Sequence, residues 1–429
     1  MENNRNWAGN YKYSASELHV PETVEQIQEL VARSSKIKAL GTRHSFNGIA
    51  DCTESLLSLH KLNRVIELDQ KRNKVTVEAG IRFGELCDYL HGYGYALHNL
   101  ASLPHITIAG ACSTATHGSG DRNGNLATAV HSLEVVQADG EKVVFSRDQQ
   151  DGLLAGAVVG LGGLGIITQI TLDVIPTFQM SQYVFENMPL AQLNDHFDDI
   201  FSSAYSVSLF TDWKTNAFNQ VWLKRKISDY EPAGDNSEFF GAMHAKANRH
   251  PVPGHSAENC SEQFGIPGPW HERLPHFRMD FTPSAGEELQ SEYFVPRHYA
   301  YQALCAIDRI RDHISPHLYV SEIRTIAKDN LWMSPCYMED SVAIHFTWKA
   351  DWNPVGKILP LIEEQIAPFR ARPHWGKLFA MPPVHIQSLY EKLPDFQQLL
   401  LQCDPQGKFC NSFLKTYIKD SYSSSPNQR

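Results

Sequence analysis

The sequence predicts a chain of more than one domain that mixes helices with strands. Two observations carry that expectation. The 429 residues suffice for two or three domains at ~150 residues each, and helix and strand signals alternate through the first third. With 42% hydrophobic and 20% charged residues the composition is that of an ordinary globular protein, which excludes a disordered, collagenous or coiled-coil chain. The net charge of −10 argues against nucleic acid as a partner, because neutralising phosphates requires a basic surface.

The elements follow in order. Pro21 opens a helix with Val24, Ile27, Leu30 and Val31 on one face. Lys36 to Leu40, Leu56 to Leu59, Val65 to Leu68 and Lys74 to Ala79 read as strands, and Phe83 to Leu90 as a short helix. Leu133 to Ala138 and Glu141 to Phe145 flank Asp139-Gly140, the signal of a two-residue hairpin turn. Ile166 to Val174 is a further strand, closed by Pro176. From Phe178 to Ala371 the pattern is less regular: a proline- and histidine-rich loop from Arg249 to Arg273, a helix from Arg297 to Asp312, and strands at Tyr319 to Ile326 and Ser341 to Trp348. A short helix is expected near Ile386 to Lys392, and Ser421 to Arg429 reads as a disordered polar tail.

The first residues, Met-Glu-Asn-Asn-Arg-Asn-Trp, hold no apolar segment and do not read as a signal peptide. The most apolar stretch, Leu153 to Ile167, is broken by five glycines and is too short to span a bilayer. Eight cysteines without a CxxC pair read as reduced thiols, so a cytoplasmic location without membrane attachment is expected.

Gly160-Leu161-Gly162-Gly163-Leu164-Gly165 matches the dinucleotide pattern G-x-G-x-x-G, which works only where a helix follows. Here the β-branched run from Ile166 follows, so a tight turn before a strand is the better reading and a nicotinamide-type domain a distant one. Gly41-Thr42-Arg43-His44-Ser45 does follow a strand and offers successive backbone N–H groups, a concavity suited to phosphate. Gly110-Ala111-Cys112-Ser113-Thr114-Ala115-Thr116-His117-Gly118-Ser119-Gly120 lets a flat or charged ligand approach the backbone closely. Each loop alone is more often just a turn; the two together suggest one extended, phosphate-bearing ligand.

Asn6-Trp7-Ala8-Gly9-Asn10, Gly41 to Asn47 and Ala101-Ser102-Leu103-Pro104-His105 closely resemble the bacterial alditol (xylitol) oxidases of the vanillyl-alcohol-oxidase superfamily of flavoproteins. The resemblance runs on through Thr116 to Gly120, Gly268 to Arg273, Ser321 to Arg324, His345 to Trp348, Arg372 to Lys377 and Asp404 to Phe409, in order along nearly the whole chain. It implies an α+β fold with an FAD-binding domain over residues 1–175, completed by about 372–420, and an antiparallel-sheet substrate (cap) domain over 176–371. It also implies FAD bound covalently through His44. Flavin contacts would come from Gly41, Thr42, Arg43, His44, Ser45, Phe46, Asn47, Ser102, Thr107, Gly110, Ala111, Cys112, Ser113, Ile167 and His374. Arg43 departs from the pattern, since many superfamily members have glycine before the histidine.

Glu322 and Arg324 lie two apart on one strand, and His345 and Thr347 on another, so each pair shares a face. Ile323, Phe346 and Trp348 would supply the opposite, apolar faces. The polar faces suit a wet cavity or, equally, a solvated face of cross-strand charge pairs. The resemblance favours the cavity, because Ser102, Glu322, Arg324, Thr347 and Lys377 match positions that contact a polyol, and implies Lys377, Arg324, Glu322 and His345 as the catalytic set. Such groups suit alcohol oxidation, in which hydride passes to flavin N5 while cations stabilise developing alkoxide charge. Ala101, small and beside Ser102, leaves room for dioxygen, which favours an oxidase that releases hydrogen peroxide over a dehydrogenase. An aldonolactone oxidase of the same superfamily is the alternative, and a flavin-free carbohydrate-binding protein a more distant one. His244, His250, His255 and Cys260 lack the tight spacing of a zinc site, so no metal is expected. A small-molecule substrate, dioxygen and a monomeric state complete the expectation.

Overall fold

The computed structural model describes residues 4–227, 238–278 and 287–419; the tail expected from Ser421 lies outside the described residues. The helix behind Pro21 spans Val24–Arg33, its first turn capped by Thr23 Oγ1, which accepts from the Gln26 N–H. It buries Ile27, Leu30 and Val31. Strands Glu17–His19, Ser55–Ser58 and Ile37–Leu40 form a small parallel sheet with Ser55–Ser58 in the middle. Beside it stands an antiparallel sheet of Val65–Asp69, Lys74–Glu78, Ile166–Asp173, Val130–Val136 and Lys142–Ser146, in that order. Between Val130–Val136 and Lys142–Ser146 the turn differs from expectation. Gln137 pairs with Glu141, the loop is Ala138-Asp139-Gly140, and only Gly140, at φ 88°, is left-handed. A type I turn followed by one left-handed residue needs a single glycine, which this sequence supplies.

The irregular middle holds the longest strands. Gln179–Pro189, Ala217–Lys226, Ser206–Thr211, Leu318–Ile326, Ser341–Lys349 and Glu288–Pro296 form, in that order, the centre of a ten-stranded antiparallel sheet. Most of their residues are buried on both faces, and such strands lose the alternation that betrays a half-exposed one. The helix expected from Arg297 to Asp312 is broken into Ala300–Asp308 and Arg311–Ile314 after a 3-10 turn. The break leaves Arg311, next in line on the buried face, half-exposed and returns Ile314 to the core. Towards the end, Pro383–Leu389 is followed by a second helix, Leu393–Cys403.

One apolar core runs through both sheets, from Val75, Leu133 and Ile170 to Ile323, Ile344 and Trp348. The last described segment packs back on the first. Lys408 Nζ donates to the carbonyls of Val31 and Ala138, and Asn411 Nδ2 to those of Gly48, Ile49 and Asp51. Among the described residues no helix is long and apolar enough to cross a membrane.

Candidate active site

A cavity of about 1000 Å3 lies between the glycine-rich loops and the large sheet. Strand Ile37–Leu40 delivers the first loop into it. Asn6 and Asn10 brace this loop by donating to the carbonyls of Ser45 and Phe46, while the Phe46 N–H donates to the Gly376 carbonyl. The ring of Trp7 stacks on His44 at 5.2 Å, and Thr42 Oγ1 lies 3.0 Å from His44 Nδ1. Burial, with His105 nearby, pushes the His44 pKa down to about 4, so its imidazole is neutral. Arg43 sits at φ 63°, a left-handed conformation in which glycine is at no disadvantage. The second loop enters the short helix Ile108–Ser113.

Gly41 and Gly110 decide whether this cleft suits a dinucleotide. Both open onto the cavity, and a Cβ on either would come within 2.7 and 2.9 Å of Thr107 Oγ1. Side chains are thus excluded where a ligand must lie flat against the backbone, and the residues present fit FAD.

The facing wall is charged. Glu292, buried at the centre, accepts from Arg324 Nη2 (2.7 Å) and Lys377 Nζ (2.6 Å), with His117 Nε2 at 3.2 Å. Burial alone would raise its carboxyl, but Lys377, His117 and Arg324 together hold it well below the usual carboxylate range. Burial lowers Lys377, and Arg324 lowers it further against the pull of Glu292. Lys377 Nζ also donates to His345 Nδ1 (2.8 Å), so His345 carries its proton on Nε2 and donates to Thr347 Oγ1 (3.0 Å). Glu322 accepts from His276 Nε2 (2.8 Å) and stands 3.6 Å from Arg324 Nε. Arg324, His276 and His345 keep it ionised despite its burial.

A family model described as an FAD binding domain matches residues 16–146, and one described as D-arabinono-1,4-lactone oxidase matches residues 285–417. Alditol oxidase of a Streptomyces species is 46% identical over 416 residues, covering 96% of this chain and 98% of that one. The chain belongs to the alditol oxidase family. It is thereby an FAD-dependent oxidoreductase. L-gulonolactone oxidase of Mus musculus is a more distant relative of this family member, 26% identical over 96% of this chain and 97% of that one. A solvent-stable cholesterol oxidase shares the two-domain α+β fold at a TM-score of 0.76, 15% identity and 97% coverage of both chains.

Within this alditol oxidase family fold, Ser102, Glu322, Arg324, His345, Thr347 and Lys377 all line one cavity, as do Gly41 to Phe46, Thr107, Gly110, Ala111, Ser113, Ile167 and His374. Two expected cofactor contacts are not on its wall. The Cys112 thiol is buried in the apolar core, on the inward side of its helix. Asn47 turns away to donate to the carbonyls of Trp375 and Lys377, tying the two loops together. Three participants escaped the sequence reading. Glu292 belongs to the run Glu288, Gln290, Glu292, an alternation that marks a cavity-facing strand. His276 and Lys224 stand behind Glu322 and carry no local signal.

Proposed function

We propose that the protein oxidises the terminal CH–OH of an acyclic polyol to the aldose: RCH2OH + O2 gives RCHO + H2O2. The observation that carries this reading is the wall itself, where Glu322, Arg324, Thr347 and Lys377 present donors and acceptors side by side opposite Ser102. A neutral, flexible polyol has no charge to grip and is fixed only by several hydrogen bonds at once. Glu322 accepts from its hydroxyls, and Arg324 donates to them. When bound, FAD supplies the acceptor for the hydride and passes the electron pair to dioxygen.

Lys377 handles the proton. As a neutral amine it spends its two N–H groups on Glu292 and His345, and its lone pair takes the proton of the reacting hydroxyl. Glu292 then stabilises the ammonium so formed, and Arg324 offsets alkoxide charge as it develops. His44, neutral and clamped between Trp7 and Thr42, is the point of covalent flavin attachment in this reading. The small side chain of Ala101 leaves space for dioxygen. Residues 1–175 with 372–420 form the flavin domain and 176–371 the substrate domain of a cytoplasmic monomer.

Peroxide release from the purified protein on a panel of polyols and aldonolactones tests the proposal. Turnover of xylitol or sorbitol well above that of any lactone is expected. Turnover of lactones alone would replace it with the lactone oxidase reading that the match over residues 285–417 favours.

A further inference from the structure

Lys224 is a lysine with no carboxylate in contact, buried to 1% exposure behind the wall. Its strand, Ala217–Lys226, is separated from that of Glu322 by Ser206–Thr211. Lys224 Nζ donates to the carbonyls of Leu274 and Pro275 and lies 3.2 Å from His276 Nδ1. An ammonium can only donate, so Nδ1 must accept. The His276 proton is thereby placed on Nε2, the atom 2.8 Å from Glu322 Oε1. The rings of Phe210 and Trp222 close on His276 edge to face, at 5.5 and 5.3 Å, and fix its plane. The same grammar recurs across the cavity, where Lys377 donates to His345 Nδ1 and His345 Nε2 donates to Thr347.

We propose that Lys224 is a positioning residue for polyol recognition: through His276 it sets the tautomer that holds Glu322 oriented, with its free acceptor capacity turned to the substrate hydroxyls. Without the ammonium nothing obliges Nδ1 to accept, and the tautomer with a bare Nε2 facing the carboxylate becomes populated. Glu322 then loses its donor and its fixed orientation. The device is pH-dependent, since burial brings the Lys224 pKa down to about 7. The charged or titratable groups acting on Lys224 and His276 are Glu322, Arg324, Cys260 and His250.

The inference rests on the polyol oxidase reading, and the parent enzyme's turnover of xylitol separates the two. A parent inert toward xylitol overturns both. With an active parent, Lys224→Met is expected to raise KM for xylitol roughly tenfold, the worth of about one charge-assisted hydrogen bond, with kcat changed less than about threefold. The rise of parent KM above about pH 7 should vanish in the variant. In a His276→Gln background, whose amide donates to Glu322 without help, Lys224→Met should leave KM unchanged. Equal effects of Lys224→Met in both backgrounds, or a single variant with parent KM and pH profile, overturn the inference. Should Lys224→Met fail to fold, the alkaline rise in KM of the parent against its absence in His276→Gln decides the matter alone.

Discussion

The two walls of the cavity recognise their ligands by opposite means. The loop wall is backbone: Gly41 and Gly110 keep side chains out, and one neutral histidine stands between Trp7 and Thr42. The sheet wall is side chain: Glu292, Glu322, Arg324, His345 and Lys377, drawn from three strands and a loop, share protons and charge. A backbone surface is built by a short contiguous segment, whereas a charged surface is built by whatever the sheet brings into register. It follows that the first fails locally when altered and the second fails as a network.

The sharpest break in that contrast is His44→Ala. Flavin fluorescence should travel with the parent protein through denaturing electrophoresis and be entirely lost from the variant band, with folding unimpaired. A variant that keeps its flavin would move the attachment point elsewhere. On the sheet wall, Glu292→Gln strands Arg324 and Lys377 as buried cations without their shared anion, which costs about 3–5 kcal/mol. Urea unfolding measures it; a loss below ~1 kcal/mol would show that the wall is no network. Lys377→Ala should slow anaerobic reduction of the flavin by xylitol at least ~100-fold, about 2.7 kcal/mol, while the protein stays folded and yellow. Stopped-flow absorbance reads this directly, and a parent-like rate removes Lys377 from the chemistry.

Acid should also strike the sheet wall. Burial, aided by Lys377 beside His345 and Lys224 beside His276, brings both pKa values down to about 4 from an ordinary 6.5. The unfolded chain therefore binds more protons between these values. Stability is complete above pH 6.5 and declines as pH falls through 4, by on the order of 2 kcal/mol. Thermal melts across that range should lose this slope in a His276→Gln, His345→Gln double variant. The smallest effect belongs to the loop wall. Arg43→Gly relieves a left-handed residue worth about 1–2 kcal/mol but gains freedom in the unfolded chain, so a net gain within ~1 kcal/mol is expected. A clear loss would show that the Arg43 side chain, not the turn, holds the loop.

Legibility divides along the same line. Gly41 to Ser45 and Gly110 to Ser113 could be read as ligand-facing because strand, turn and small residues occur together in one stretch. Glu322 with Arg324, and His345 with Thr347, were legible as same-face pairs, but their meeting depends on a register of Glu322 opposite His345 that spacing does not encode. Glu292 was within reach through the alternation at 288, 290 and 292, yet its neighbours Ser291, Tyr293 and Phe294 are buried as well, which blurs a two-residue period. His276, after Pro275 in an irregular segment, had no periodicity to betray it. The helix expected from Arg297 continued in pattern but not in space, because one arginine fell on its buried face.

Asn47 donates to the Lys377 carbonyl across 330 residues of sequence. At the pace of a ribosome, roughly 5–20 residues per second, the histidine loop waits about 15–65 s for the segment that closes it. Throughout that interval the nascent chain can present its glycine cleft but possesses no lysine to take a proton. Chemistry that makes peroxide is therefore withheld until synthesis is nearly over, a safeguard written into the order of the chain rather than into any regulator.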